Sequence, residues 1–330
     1  MANQTAWDER LRILRKWLRS RPDRCILASN GAVHPQRKRV LMRYAVLSDI
    51  HGNYEALIAV LRDIDRLAVE QRVSIDAMWC LGDIVGYGPE PRECVQRVRE
   101  LCLHCVAGNH DWAAIGKLDL DDFTEVAANS AKWTSEQLSA QDRIYLRGLP
   151  EVTGSGEFTL THGSPLNPIW EYLTSPLAAT PNFGAFETPY CLVGHTHLPT
   201  IFLLPDDVRP LPPPPEILVP DKTHAGFAPG DSDLMPFPDI GTMPLGAGLL
   251  CEHVTPAPGL WLMPEHRRAI INPGSVGQPR DGDPRASYII FDSDLGFEFR
   301  RVEYDVAATQ RKMTEQGLSP RMAARLERGI

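Results

Sequence analysis

The chain has 330 residues, enough for a sizeable core in one large domain or two ordinary ones, and its composition is that of a globular protein. Its formal net charge of -8 hides an asymmetry, because residues 1–43 carry 11 Lys/Arg against 3 Asp/Glu while the remainder carries 23 against 39. An acidic body is a poor generic magnet for nucleic acid and suits a protein that gathers metal cations, so stable nucleic-acid binding is not expected. No apolar run approaches the roughly 18 residues of a membrane span, and the N-terminus lacks the apolar core of a secretory signal, which makes the cytoplasm the expected location.

Residues 6–21 set Leu11, Leu14 and Leu18 with Trp7 and Trp17 among arginines, which predicts a short amphipathic basic helix within an N-terminal extension, residues 1–42. Tyr44 to Ser48 reads as a strand ending in polar Asp49. Residues 53–68 then carry Leu57, Val60, Leu61, Ile64 and Leu67 at helical spacing. The phrase recurs: Ile75 to Leu81 leads into Gly82-Asp83 and a helix near 91–101, and Leu103 to Ala107 leads into Gly108-Asn-His-Asp111 with a helical pattern near 122–139. Strands alternating with helices predict an α/β layer architecture with a parallel component. Cys102-x-x-Cys105 has ligand-like spacing, but its apolar setting reads as a buried strand with small core side chains. Seven scattered cysteines do not form a secreted disulfide framework.

In the second half, runs at 157–161, 189–193, 199–204, 268–271, 286–291 and 296–302 predict mainly β pairing, followed by a C-terminal helix within 305–330. Between about 205 and 265 lies a Pro- and Gly-rich stretch, including Pro212 to Pro215, that can continue neither a helix nor a central strand and reads as a surface insertion.

The residues that carry chemistry fall in five short clusters, each just after an apolar run: Asp49-Ile-His51-Gly-Asn53, Gly82-Asp83, Gly108-Asn109-His110-Asp111, Thr161-His162-Gly163 and Gly194-His195-Thr-His197. In open α/β sheets the ligand site lies beyond the carboxyl ends of the strands, so these side chains converge there. Imidazole with carboxylate suits divalent transition metals, manganese, iron, zinc or cobalt, with manganese favoured. So many donors for one site call for two ions, roughly 3.5 to 4 Å apart.

In that order the clusters resemble the calcineurin-like metallophosphoesterase superfamily, over about residues 43–304. The longer strings Ser48-Asp-Ile-His-Gly-Asn53, Cys80-Leu-Gly-Asp-Ile-Val-Gly-Tyr-Gly-Pro89, His162-Gly-Ser-Pro165, Trp170-Glu-Tyr-Leu173 and Asn272-Pro-Gly-Ser-Val-Gly-Gln-Pro-Arg-Asp-Gly-Asp-Pro284 resemble its compact bacterial phosphodiesterase-type members. The resemblance implies a four-layer α/β/β/α sandwich of two mixed sheets. It further implies that Asp49, His51 and His197 hold one metal, that Asn109, His162 and His195 hold a second, and that Asp83 bridges them. A bridging hydroxide would attack phosphorus, and His110 would protonate the departing oxygen. The expected activity is a phosphodiesterase acting on a small or nucleotide-derived ester; a phosphomonoesterase or nucleotide hydrolase, and a non-catalytic metal-binding scaffold, are the alternatives.

The sequence also departs from family patterns. Protein phosphatases and symmetric tetraphosphatases of the superfamily carry Gly-Asp-x-Val-x-Arg-Gly, where this chain has Gly86 and Tyr87 at the last x and the Arg. A phosphoprotein substrate is therefore not expected, the pattern names no partner to orient His110, and Asp111 is a weak candidate for that role. Gly86 also stands where purple acid phosphatases place a Tyr ligand. Arg280 and Asn53 are candidates to contact substrate; Arg280 could instead pair with Asp281 or Asp283, and Asn53, like Asn272, could instead bond loop backbone.

Overall fold

Arg43–Leu47 (β1), Ala77–Cys80 (β2) and Cys102–Cys105 (β3) run parallel to one another, joined by the helices Tyr54–Glu70 (α1) and Pro91–Leu101 (α2). That pattern of apolar strand, loop and amphipathic helix buries both faces of the strands. The computed structural model describes residues 42–70, 74–206, 250–264 and 267–330. The basic helix expected at 6–21 and residues 207–249 of the expected insertion lie outside them.

The chain continues through Asn109–Ala114 (α3), Glu125–Gln137 (α4), Ala140–Arg147 (α5), Val152–Ser155 (β4), Phe158–Thr161 (β5), Pro176–Asn182 (α6), Tyr190–Leu192 (β6) and Pro199–Leu203 (β7). Then follow Glu252–Val254 (β8), Trp261–Leu262 (β9), Ala269–Pro273 (β10), Ala286–Asp292 (β11), Gly296–Val302 (β12), Val306–Glu315 (α7) and Pro320–Arg328 (α8). The strands form two six-stranded mixed sheets, in the orders β3-β2-β1-β11-β12-β9 and β4-β5-β6-β10-β7-β8. Between the sheets lies an aromatic core in which Trp79, Phe291 and Phe297 of the first meet Phe158 and Tyr190 of the second. Leu57 and Leu61 of α1, Val95 of α2 and Leu146 of α5 cover the outer face of the first sheet, and Ala179, Phe183 and Phe186 cover that of the second. The result is a four-layer α/β/β/α sandwich.

Three local expectations change. The C-terminal helix is a hairpin of two, because Gly317 adopts a left-handed φ of 70° and Pro320 begins α8. The Cys102–Cys105 segment is an edge strand and not a fully buried one, with Leu103 exposed and both thiols free. The end of the proline-rich stretch contributes β8 and β9, each at the edge of a sheet, where a strand needs partners on one side alone. Between them the chain crosses from one sheet to the other. Among the described residues no helix is long and apolar enough to cross a membrane.

Asp63 fastens the helical layer to the first sheet. Its buried carboxylate accepts the Tyr288 hydroxyl of β11 at 2.7 Å and the Arg300 Nε of β12 at 2.9 Å. Burial pushes this carboxyl up, but the bonds from Arg300 and Tyr288 outweigh it and hold it below the usual carboxylate range. A lowered folded value means that the contribution is complete above pH about 4 and is lost as pH falls through the folded value. Asp63→Ala should therefore cost about 3 kcal/mol in denaturant unfolding at neutral pH, since it strands the buried Tyr288 hydroxyl and the partly buried Arg300 Nε. The deficit against the unsubstituted protein should shrink in acid; a deficit below about 0.5 kcal/mol would show that the tie contributes nothing.

Candidate metal centre

Asp49 follows β1, Asp83 follows β2, Asn109 follows β3, His162 follows β5, and His195 and His197 follow β6, so five strand-end segments meet at one end of the sandwich. The loops are laced to each other by backbone bonds: Asp49 N to Gly82 O (3.1 Å), His51 N to Asp83 O (2.9 Å) and Gly194 N to His162 O (2.7 Å). Among the described residues six non-glycine residues have φ between 50° and 67°, and five of them are Asp49, His51, Asp83, His195 and His197. Left-handed backbone costs a residue with a Cβ about 1–2 kcal/mol. The neighbouring glycines act largely by giving room: a Cβ on Gly108 would lie 2.0 Å from Asp83 Oδ1, and one on Gly194 would lie 2.1 Å from Ser48 Oγ.

The side chains form two buried groups, Asp49 with His51 and His197, and Asp83 with His162 and His195, the ligand atoms of each group lying within 4.8 Å of one another. All four imidazoles turn one nitrogen outward to a main-chain carbonyl. His51 Nδ1 meets Val85 O at 3.2 Å, His162 Nδ1 meets Leu81 O at 2.7 Å, His197 Nδ1 meets Gln278 O at 2.6 Å, and His195 Nε2 meets Trp170 O at 3.2 Å. A carbonyl only accepts, so each outer nitrogen carries the proton and each inner nitrogen of a neutral ring is a bare lone pair. These inner nitrogens face each other in pairs, His51 to His197 at 3.0 Å and His162 to His195 at 3.1 Å. Two lone pairs at that distance repel; a cation between them removes the conflict.

Two further buried acceptors have no hydrogen-bond partner, Asp83 Oδ2 and Asn109 Oδ1. Asp83 Oδ1 accepts from His110 N at 2.9 Å, whereas Oδ2 lies 3.4 Å from His162 Nε2 of one group and 3.7 Å from His51 Nε2 of the other. Asp49 is steadied by Ser48 Oγ at 2.6 Å and by the His195 backbone N–H at 3.2 Å. Orphaned buried acceptors and facing lone pairs are what a cation-binding cradle presents without its cation, and the donor set fits two divalent ions. Burial pushes His51, His195 and His197 below the ordinary imidazole range. His162 goes the other way, because the Asp83 carboxylate outweighs burial and holds it up at about 9.

His110 lies beside the groups, its ring 4.4 Å from that of Tyr87 and 5.1 Å from that of His51. Burial pushes it down to about 4 against the pull of Asp83. Its Nδ1 has no partner and faces Gly86, where an added Cβ would stand 2.8 Å away. Asp111 does not orient it: that carboxylate takes the backbone N–H groups of Ile84, Val85 and Gly108, capping α3 and tying it to the Asp83 loop.

Arg280 is buried, donates to Gln278 Oε1 at 2.8 Å and leaves its Nε without a partner. Its charge acts on His110, His195 and His197. Asp281 pairs instead with Arg301, and Asp283 with Arg285 at 2.7 Å. The expectation of a substrate contact from Asn53 gives way to a structural role. Its amide donates to Gly277 O at 2.9 Å and accepts from Ala56 N at 3.2 Å and Thr309 Oγ1 at 3.0 Å, which caps α1 and ties in α7. Asn272 Nδ2 likewise holds the His195–His197 loop through Gly194 O at 2.6 Å. The motif reading assigned no role to Tyr172, which stacks on His195 at 3.8 Å, nor to Ser48 and Gln278. No periodicity or metal-ligand spacing marks such supporting groups.

Comparison with known proteins gives a family-model match to calcineurin-like phosphoesterases over residues 42–199. An uncharacterised protein of Methanocaldococcus jannaschii is 33% identical over 289 residues, covering 86% of this chain and 96% of its own. The crystal structure of a metallophosphoesterase from Sphaerobacter thermophilus is similar with a TM-score of 0.66 and 42% identity, covering 88% of this chain and 100% of that one. A symmetrical bis(5'-nucleosyl)-tetraphosphatase of Proteus mirabilis is 28% identical over 143 residues, covering 41% of this chain and only 48% of its own length.

The crowding at Gly108 makes a direct test of the cradle. Gly108→Ala should lower the bound metal content well below that of the unsubstituted protein with little change in far-UV circular dichroism, because the new methyl displaces Asp83. Full metal occupancy in this variant would mean that the Asp83 carboxylate is not a ligand.

Proposed function

Because the chain belongs to the calcineurin-like phosphoesterase family and is a metal-dependent phosphoric ester hydrolase, we propose that its two buried groups hold a pair of divalent ions and cleave a phosphodiester of small or nucleotide-derived kind. In this reading Asp49, His51 and His197 hold one ion, Asn109, His162 and His195 the other, and Asp83 serves both. The observation that carries it is Asp83 Oδ2, a buried, unpartnered carboxylate oxygen within 3.7 Å of one imidazole group and 3.4 Å of the other. When bound, such ions supply Lewis acidity toward the phosphoryl oxygens and a nucleophile at neutral pH.

The chain's own groups do the rest. Arg280 offers an unpartnered, buried N–H to a phosphoryl oxygen, and its planar guanidinium suits that role. Tyr172, flat against His195, fixes the tilt of that ring. His110 delivers the proton to the departing oxygen. Burial keeps it neutral in the free protein, and a phosphate anion seated beside it favours the charged form. The tetraphosphatase relatives support a second reading, hydrolysis of a nucleotide anhydride by the same residues, although they match over only 22% to 52% of their length. Four imidazoles, two carboxylates and an amide oxygen suit manganese, iron, zinc and cobalt alike, and manganese is the ion we favour.

Two measurements test the assignment. Asp83→Asn should reduce the occupancy of both metal positions, read by elemental analysis, since it removes charge from the shared ligand; two tightly held ions would refute the sharing. His110→Asn should slow esters with alkyl or nucleoside leaving groups by about 10² to 10⁴-fold and nitrophenyl esters far less, with both metals retained. Losses equal across leaving groups would make His110 a packing residue.

A further inference from the structure

At the metal end of the sandwich lies a cavity of about 350 Å3 that none of the proposed ligands lines. Its inner wall is made by residues that directly follow the site's own: Leu173 and Thr174 after Tyr172, Leu198 after His197, and Asp281 after Arg280. Its outer wall is the crossing from β8 to β9, where Pro256 and Pro258 close the gap between the sheet edges. The cavity is therefore lined by the same loops that carry Tyr172, His197 and Arg280, one residue further along each.

The lining has a definite chemistry. Pro256, Pro258, Leu198 and the buried Phe299 are apolar and, apart from Leu198, rigid or ring-shaped, which suits a flat organic group. A volume near the lower end of the usual ligand-pocket range, about 300 to 1,000 Å3, holds one group of nucleoside size and no more. The polar lining is unbalanced toward acid. Asp281 and Asp283 stand against a single lining guanidinium, Arg301, which engages Asp281 and lies 3.9 Å from Asp283; Arg285 lies outside the lining and pairs with Asp283 at 2.7 Å. Thr200 and His253 bond to each other at 2.6 Å across the wall. Carboxylates accept from sugar hydroxyls and ring N–H groups, and they repel phosphate.

We propose that this cavity is the subsite for the uncharged, nucleoside-sized group of the phosphodiester, and that Asp281 and Asp283 select against substrates carrying further phosphates there. It rests on the phosphodiesterase reading and deepens it, and it sets this chain apart from an enzyme built for a polyphosphate bridge. The geometry makes Thr174 and Pro256, on opposite walls, the positions from which a large side chain would fill the space.

The test uses the metal-loaded full chain with two diesters that share a leaving group, thymidine 5'-(p-nitrophenyl phosphate) and methyl p-nitrophenyl phosphate. The nucleoside ester should have the higher kcat/KM by about ten-fold or more, a gain in the range that filling one apolar pocket provides. Thr174→Trp and Pro256→Trp should each remove most of that advantage. Asp281→Asn should raise the rate on diadenosine tetraphosphate relative to the nucleoside diester several-fold. In calorimetry, thymidine 5'-monophosphate should bind more tightly than inorganic phosphate, and Thr174→Trp should abolish the difference. No preference between the two esters, equal losses on both in the two Trp variants, or equal binding of the two phosphates overturns the cavity assignment. A protein that holds two ions but cleaves no diester overturns the preceding reading instead, and the calorimetry then decides the cavity alone.

Discussion

Everything at the working end of this molecule depends on one electrostatic constraint: the inner nitrogens of four imidazoles and three amide or carboxylate groups are driven together in a site buried from solvent. Main-chain carbonyls enforce it by occupying the outer nitrogen of every ring. Without cations the arrangement is self-repelling, and the protein relieves it in part by charging His162 against Asp83. The left-handed backbone at five of the ligand positions is a second cost of about 1–2 kcal/mol at each. Cross-loop hydrogen bonds and dense packing hold these strained turns in place.

Much of this was legible in sequence because the candidate ligands lie in short motifs just beyond apolar runs. The runs before Asp49, Asp83, Asn109, His162 and His195 are strands, and their ordering into α/β phrases follows from the alternation of period-two and helical patterns. The features that escaped are those without a local signal. β4, α5 and α6 are short, and α6 carries Pro181 within it. The split between α7 and α8 depends on a left-handed Gly317 that helical periodicity overrides. Nor does spacing reveal that Asn53 belongs to a helix cap and a tie to Thr309, 256 residues away, since the same Asx chemistry serves a turn or a ligand.

The presence of Gly86 and Tyr87, the latter where the protein phosphatases carry Arg, has a coherent structural outcome. His110 occupies the space that any side chain at 86 would fill, so its Nδ1 is left without an orienting acceptor. The Tyr87 ring flanks both His110 and His51, and the positive charge nearby comes from Arg280, in a different loop. Cation and imidazole are thus supplied from different halves of the chain, and the turn after Asp83 serves mainly to pack them.

That separation has a kinetic side. β1 is the central strand whose end carries Asp49, and it pairs on one side with β11, Tyr44 lying opposite Phe291 and Val46 opposite Ile289. Ser275 and Gly277, which bond the Asp49 backbone, are also more than two hundred residues downstream. Asp49, the first of the candidate ligands in chain order, is therefore among the last to be fixed, because its strand cannot acquire its second neighbour until β11, more than two hundred residues downstream, has been made. High contact order of this kind slows folding and leaves β1 with an open edge meanwhile. During synthesis the flanking α1 and the parallel partner β2 are what shield that strand, so the early α/β half has to hold together as a provisional unit before any catalytic geometry exists.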